Sequence, residues 1–369
     1  MILTFYDKDF KPISDNSSLN IGSWDLTNKA IDFDDFSCTS EPFLINVQPT
    51  FAVMMDDLGN YLYGCFAGVP ELTIENQTKL TGSDLRTFLN NDIYCLYSNY
   101  GSKTLKDYFT DVINDFQSQI NDDSISIDFD FTKCSAENII ISSGELQPSM
   151  TSYEIKNIWN DLLIPYLEYY DMFLSARIDL VNKKIVYSFV DIGGGFNNLQ
   201  YLSIKIHADD YGILNLGKYS TSLNEAQAIV VSGTTSISES SYAILKKDNS
   251  IVVTSTPQNE RELFPPKKKT ILKTASSSSE VSGLMSEGIE EAVQALANAR
   301  YNESISLVAG KDEIINNAGL SDVVSIYMKN GNVYNKYKDL PVGSIKTGKN
   351  KDKTMTIGYK SDDIVLYIK

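Results

Sequence analysis

His207 is the only histidine in the chain, so any imidazole chemistry has to be built on that one residue. This excludes HExxH zinc sites and most multi-histidine metal centres. It also ties any Ser–His–Asp triad or Cys–His dyad to a single position. His207 closes an alternating segment beside Asp209 and Asp210. General acid–base work needs a positioned second group, and the context reads as a structural or solvent-facing histidine.

Carboxylates are the next candidates. Asp32, Asp34 and Asp35 in IDFDDF offer oxygen ligands, but calcium takes six to eight oxygens, usually from a loop with a glycine turn and a distal Glu. That series is absent here, and the three read as the acidic solvent face of a β-ribbon. Asp128 and Asp130 are two apart and share one face of a strand. Paired carboxylates can run glycoside hydrolysis, yet nothing nearby in the sequence builds a pocket, so an exposed strand face is expected. Gly193-Gly194-Gly195 lacks the Lys-Ser/Thr of a P-loop and does not open a helix, so it reads as a flexible corner. Lys267-Lys268-Lys269 lies between Pro265-Pro266 and a serine run, which reads as a solvated loop. No catalytic, cofactor-binding or metal-ligating residue emerges, and the chain reads as a structural or binding component with no enzyme activity.

Charge and cysteine usage narrow the classes further. The chain has 369 residues with 48 Asp+Glu against 32 Lys+Arg, a formal net charge of −16. Only four of the cations are arginine (Arg86, Arg177, Arg261, Arg300). Phosphate-gripping surfaces need dense Lys/Arg and favour the planar guanidinium, so a nucleic-acid binder is not expected. Cys38, Cys65, Cys95 and Cys134 lie 27, 30 and 39 residues apart, without zinc or CxxC spacing. Scattered thiols suit a reducing cytosol. The start Met-Ile-Leu-Thr-Phe-Tyr is not a signal peptide, and no apolar run is long enough for a membrane span. A soluble protein made in the cytoplasm is expected. The 22 tyrosines against 16 phenylalanines suit half-buried β-surfaces and protein interfaces.

The elements that would position these residues fall into three stretches, a number in keeping with the length. Residues 1–89 read as β: extended runs at Met1–Tyr6, Ser23–Phe33 and Pro42–Val47, then a hairpin of Phe51–Met55 with Tyr61–Phe66 around Asp56-Asp57-Leu58-Gly59-Asn60. A second hairpin pairs Leu72–Glu75 with Lys79–Thr81, and Ser83 is positioned to cap a short helix carrying Leu85, Phe88 and Leu89. Short strands at this spacing suggest a barrel or sandwich. Residues 90–195 read as an inserted α+β unit. Thr104–Ile120 puts Leu105, Tyr108, Phe109, Val112, Phe116 and Ile120 on one helical face, and Ser124–Phe131 alternates as a strand. Ser152–Asp171 reads as a second helix with Ile155, Ile158, Trp159, Leu162, Leu163 and Leu167 inward, kinked or broken at Pro165. Phe173–Leu180 and Lys184–Asp191 form a hairpin.

Residues 196–369 return to β. Strands are expected at Leu202–His207, Ala226–Gly233, Tyr242–Leu245 and Ser250–Ser255. An exposed connection from Glu260 to Lys273 and a serine run to Ser279 come before a helix at Ser282–Tyr301. Strands at Ser304–Ala309, Val323–Lys329, Val333–Tyr337, Thr354–Tyr359 and Asp363–Ile368 follow, with Asn330-Gly331 as a type I′ turn. The fold class is α+β, mostly β.

This order resembles the tail-associated baseplate hub proteins of siphophages, related in fold to the hub of contractile tails and the base of type VI secretion spikes. Three features carry it. The first is the hairpin Glu71–Thr81 followed by Gly82-Ser83-Asp84-Leu85 and a short helix with Leu89. The second is the Trp159 helix followed directly by the hairpin Phe173–Asp191. The third is the helix Ser282–Tyr301, then a strand and Gly319-Leu320-Ser321-Asp322-Val323-Val324-Ser325-Ile326. The chain departs from the family where Asn90-Asn91-Asp92 stands in place of the arginine common after the first short helix. It also lacks the long enzymatic extension of many relatives, whose cell-wall-degrading activity is not carried over. The resemblance implies two β-barrel domains with the α+β unit inserted, and a homotrimer with pseudo-sixfold symmetry. It implies a hexameric distal tail protein as partner, with receptor-binding or tape-measure proteins nearby. The place is the virion tail tip, with roles in host attachment and in DNA ejection, where DNA is only a passing cargo. No cofactor is implied. The competing reading is a carbohydrate-binding tail or surface adhesin, suggested by Tyr, Asn and Asp on a β scaffold.

Overall fold

The computed structural model describes residues 1–13, 18–42, 49–73, 77–95, 103–120, 125–141, 154–193, 204–207, 213–216, 225–232, 236–246, 251–256, 268–299, 305–308, 317–330, 333–351 and 353–358. The expected strands at 42–47 and 363–368, the Gly331 turn and the pair Asp209 and Asp210 fall largely or wholly outside them.

Seven strands open the chain: β1 (Ile2–Tyr6), β2 (Ser18–Lys29), β3 (Asp35–Ser40), β4 (Phe51–Met55), β5 (Tyr61–Ala67), β6 (Glu71–Leu72) and β7 (Thr78–Asp84). Antiparallel pairing runs β1–β4–β5–β7–β3–β2 and returns to β1, so this sheet closes on itself. Alternation selects its filling: Leu3, Phe5, Ile21, Phe36, Cys38, Met54, Cys65 and Leu80 form one core cluster. The β4–β5 turn is fixed by Asp56, whose Oδ1 accepts from the Leu58 and Asn60 N–H groups at 2.9 and 2.7 Å. Gly82 is required by packing, since a Cβ there would lie 2.2 Å from Cys65 Sγ.

A 3₁₀ turn, Leu85–Leu89, leaves β7, and its cap is Asp84, which accepts from the Arg86 N–H, in place of the expected Ser83. Then come β8 (Asp92–Cys95), α1 (Leu105–Ile120), β9 (Ile127–Lys133), β10 (Glu154–Asn157), α2 (Ile164–Tyr169), β11 (Met172–Asp179) and β12 (Lys184–Asp191). The single helix expected over 152–171 is corrected. Residues Glu154–Asn157 are extended and pair antiparallel with β8. Ile155, expected inward, is 71% exposed opposite Tyr94. Helical winding starts only where the Asn157 side chain caps the Asn160 N–H, and Ile158–Leu163 is wound as a π-helix. Pro165 follows, and it has no N–H to give to a carbonyl four residues back. The Ile164 N–H instead bonds Trp159 O, five residues back.

The β11–β12 hairpin forms as expected, and β9 joins β12 in parallel. α1 lies against this sheet with Phe109 stacked on Phe189 at 4.5 Å and Phe131 on Phe189 at 4.6 Å.

The remaining strands are β13 (Ile204–His207), β14 (Ile213–Leu216), β15 (Glu225–Ser232), β16 (Ser236–Leu245), β17 (Ile251–Thr254), β18 (Lys268–Ala275), β19 (Ile305–Val308), β20 (Val323–Asn330), β21 (Val333–Gly348) and β22 (Thr354–Ile357), with α3 (Val281–Ala299) after β18. The sheet β17-β16-β15-β18 carries α3 on one face, where Ala228, Val230 and Ala275 meet Val281 and Met285. The exposed connection expected to Lys273 is corrected from Lys268 onward, which is a strand parallel to β15. β21 is longer than expected. It pairs β20 with its first half and then both β22 and β2, placing Asp25–Lys29 against Ser344–Gly348. The first and last parts of the chain are therefore one continuous sheet.

Candidate functional site

The most concentrated polar chemistry lies where the closed sheet meets the inserted unit, around Arg86. Its side chain is 2% exposed. Nε donates to Asp84 Oδ2 at 2.8 Å, and Nη2 lies 2.6 Å from Asp84 Oδ2 and 2.7 Å from Asp34 Oδ1. Nη1 donates to the carbonyls of Lys29 at 3.0 Å, Ala30 at 3.4 Å and Leu174 at 3.1 Å. The guanidinium lies over Trp159 at 5.7 Å from the ring centroid. Every guanidinium nitrogen is used, and the planar fork is what allows one side chain to do this.

The surrounding atoms hold the arrangement. The Asp34 N–H donates to Asp84 Oδ2 and the Lys29 N–H to Asp34 Oδ1, both at 2.7 Å. Lys29 Nζ reaches Asp32 at 3.3 Å and Asp35 at 3.0 Å. Tyr187 OH donates to the Leu85 carbonyl at 2.9 Å, and the Ile178 N–H donates to Tyr61 OH at 3.2 Å. Burial opposes the Arg86 charge, but the Asp84 and Asp34 carboxylates outweigh it and hold its pKa above the ordinary value. Burial, with the Asp84 charge, pushes Asp34 up to about 7 against the pull of Arg86. Asp34 is thus corrected from a solvent-facing residue to a member of this network, while Asp32 and Asp35 stay open to solvent.

Beside the network is a cavity of about 150 Å³ that Asp34, Tyr63, Arg86, Leu62, Phe173 and Leu320 help to line. Tyr63 OH is buried without a hydrogen-bond partner.

Asp128 and Asp130 come together in a shallow cleft of about 520 Å³ with Lys184 and Arg177. Their work there is structural. Asp128 Oδ1 accepts from the Phe129 N–H at 2.9 Å and its other oxygen pairs with Lys184. Asp130 Oδ1 accepts from the Thr132 N–H at 3.0 Å and from the Thr132 hydroxyl at 2.7 Å. Hydrogen bonding to Lys184 and to Thr132 respectively lowers the two pKa values. Neither is held protonated as a general acid requires. β9 is the edge of its sheet among the described residues, and these carboxylates occupy its N–H groups. Gln119 does the same for β8, its amide exchanging bonds of 2.9 Å with both Tyr94 N and O.

The other sequence candidates lie apart. Lys268 and Lys269, expected in a loop, are in β18, with Nζ atoms 3.0 Å from Gln227 Oε1 and 3.2 Å from Glu291 Oε1. Gly193, expected in a flexible corner, has φ 65° and donates its N–H to the Ser321 carbonyl at 2.8 Å. His207 is the last residue of β13. Cys38, Cys65 and Cys134 are buried and free, and burial raises all three thiols, which makes them poor nucleophiles. Among the described residues no three His, Cys, Asp or Glu side chains are grouped to hold a metal. No described helix is long and apolar enough to cross a membrane. Sequence reasoning missed Arg86 as a site; its only signal was the scarcity of arginine.

No protein-family model and no curated protein sequence matches the chain. Solved structures do. The chain is similar to a tail protein from Neisseria meningitidis with TM-score 0.52 and 11% identity, covering 97% of this chain and 96% of that one. It also aligns with a prophage tail protein from Listeria monocytogenes (TM-score 0.49, 10% identity, 99% and 96% covered). A third is the 43 kDa tail protein of a Shewanella oneidensis prophage (TM-score 0.47, 10% identity, 98% of each chain). At these identities the likeness is one of fold, and the first of them shows it: the chain has a tail-protein fold, mostly β with several sheets.

Proposed function

We propose that the chain is a structural, non-enzymatic component of a siphophage tail, the trimeric hub at the distal end of the tail tube. The observation that carries this reading is end-to-end likeness to a tail protein, with 97% of one chain and 96% of the other covered. A likeness of that extent concerns the whole architecture and not a borrowed module. In this reading residues 1–89 form one barrel-like domain, 90–195 the inserted α+β domain, and 196–369 the region holding the second barrel. The strands that run in the order β13-β20-β21-β22-β19-β14 belong, in this reading, to the second barrel. Two barrels per chain and three chains make a ring of six similar units, matching a hexameric distal tail protein. Receptor-binding or tape-measure proteins are further neighbours, and host attachment is shared with them. A net charge of −16 keeps a lumen from holding DNA phosphates as the genome passes.

Light scattering after size exclusion, over a range of protein concentrations, tests this. A stable mass of three 41.2 kDa chains is expected, with pseudo-sixfold rings on imaging. A stable dimer overturns the hub reading, and a monomer at every concentration removes the self-assembled trimer from it.

A further inference from the structure

We propose that the contact between α2 and α3 is a proton-operated joint: with the Glu290 carboxyl protonated, the unit made of β17-β16-β15-β18 and α3 stays docked on the inserted unit, and ionisation of that carboxyl releases it. The four strands form a sheet of their own, hydrogen-bonded to no other described strand. Among the described elements outside this unit, α2 makes the most extensive contact with it, and it does so on α3. Parts of a chain that meet in this way move relative to one another unless the contact is large and apolar. Here a carboxyl interrupts it.

Gly288 marks the side of α3 that faces the sheet, since a Cβ there would lie 3.0 Å from Ala228 Cβ. At about 3.6 residues per turn, Glu290, Val293 and Ala297 share the opposite face. Val293 and Ala297 are buried on that face, and Tyr166 of α2 meets Glu290 there. The half-buried Glu290 carboxyl makes no hydrogen bond or ion pair among the described residues. Few charges act on it. Lys156 of β10 and Lys273 of β18 favour the ionised form, Glu287 of α3 opposes it, and β15, β16 and β17 bring no charge to bear. Lys273 is already engaged, 3.9 Å from Glu287 and 3.6 Å from Glu291. The Tyr166 hydroxyl is held neutral by burial. Burial therefore prevails at Glu290, whose carboxyl is pushed from 4.5 up to about 7. The docked state binds this proton more tightly than the released state, so docking is favoured in mild acid and weakens as pH rises through about 7.

The test is thiol accessibility in the full chain. Val293→Cys places a thiol in the contact, with Ala297→Cys as a second reporter should the first disturb packing. Thr274→Cys, exposed on β18, is the open reference. Each variant is alkylated with N-ethylmaleimide from pH 5.5 to 8.5, and modification at each cysteine is read by peptide mass spectrometry. Cys38 and Cys65, buried in the closed sheet, report global unfolding in the same sample. Dividing by the Thr274→Cys rate removes the thiol's own ionisation. The relative rate at Val293→Cys should rise about thirtyfold from pH 5.5 to 8.5, the loss of docking constant set by a carboxyl moved from 4.5 to about 7. Cys38 and Cys65 should stay unmodified. Adding Glu290→Gln should hold the relative rate at its pH 5.5 value throughout, whereas adding Glu287→Gln should keep the rise. A relative rate that does not change with pH overturns the joint. So does an equal rise with Glu290→Gln, or a rise that Cys38 and Cys65 share. The readout is the same in a monomer or an oligomer, so failure here is separable from failure of the hub reading.

Discussion

Arg86 Nη1 donates to the main-chain carbonyl of Leu174 at 3.1 Å, across 88 positions of the chain. That bond joins the end of the closed amino-terminal sheet to β11 of the inserted unit, and the Asp34 and Asp84 carboxylates hold the guanidinium that makes it. With the Tyr187–Leu85 and Ile178–Tyr61 bonds it ties the two parts together, and its own geometry depends on a planar fork with donors in several directions at once.

Replacing Arg86 should therefore be severe. Arg86→Met leaves the Asp84 and Asp34 carboxylates without their guanidinium and should cost about 3–5 kcal/mol, the range for breaking one member of a buried ion pair. Arg86→Lys keeps the charge but cannot reach both carboxylates and the carbonyls, so it should recover only a minority of that loss. Urea unfolding of the two variants measures this; a Lys variant as stable as the parent would show that charge alone suffices.

Stability should rise as the solution is made mildly acidic. On α3, Glu290 is pushed from 4.5 up to about 7 by burial first, with Glu287 adding and Lys156 and Lys273 opposing. Tyr166 of α2 also faces it. Asp34 is raised from 3.8 to about 7 in the Arg86 network. The folded chain binds these protons more tightly than the unfolded chain. Stability is therefore gained as pH falls from about 7 toward the ordinary carboxylate range and lost as it rises back. The thermal midpoint at pH 5 should exceed that at pH 8, and Glu290→Gln should flatten the slope. A midpoint that falls steadily from pH 8 to pH 5 would refute it.

The aspartates of β9 should matter for solubility and not for catalysis. Asp128 and Asp130 occupy N–H groups of an edge strand and put charge on it, two devices that keep edges from pairing with other chains. The double variant Asp128→Val, Asp130→Val should keep its far-ultraviolet circular dichroism yet associate in a concentration-dependent way by light scattering. Asp128→Asn and Asp130→Asn retain polar groups and should each change stability by less than about 1 kcal/mol, as expected for exposed pairs.

Local chemistry explains what could be read from the chain before its structure. The β4–β5 turn was legible because Asp56 and Asn60 bond each other within five residues. α1 was legible because its apolar face repeats without interruption. The segment from Glu154 to Leu163 was misleading: its apolar spacing fits a helix, but Asn157 caps a later start and Ile155 pairs across a ribbon with Tyr94. β18 was hidden by its lysines, which look solvated until α3 places Glu287 and Glu291 within reach of Lys273. The Arg86 network could not be read, since only Asp84 is near Arg86 in the chain, while Asp34 and the Leu174 carbonyl lie 52 and 88 positions away. Only the closed sheet brings them together.

The chain should also unfold as one unit at its two ends, because β21 is hydrogen-bonded on both sides. Lys346 is paired with Thr27 of β2 and with Thr354 of β22. Whichever neighbour receives its N–H, Lys346→Pro removes a ladder bond from the interior of the sheet, where proline is found only at edges or bulges. A loss of about 3 kcal/mol is expected, by analogy with proline in a helix interior. Trp24 lies on β2 and, with Trp159 replaced by Phe in both parent and variant, is the one tryptophan left to report on the amino-terminal sheet, so its unfolding transition should shift together with that of the circular dichroism signal. If Trp24 unfolds at the parental urea concentration while the remaining signal shifts, the amino-terminal sheet stands without β21 and the continuous sheet is not a cooperative unit.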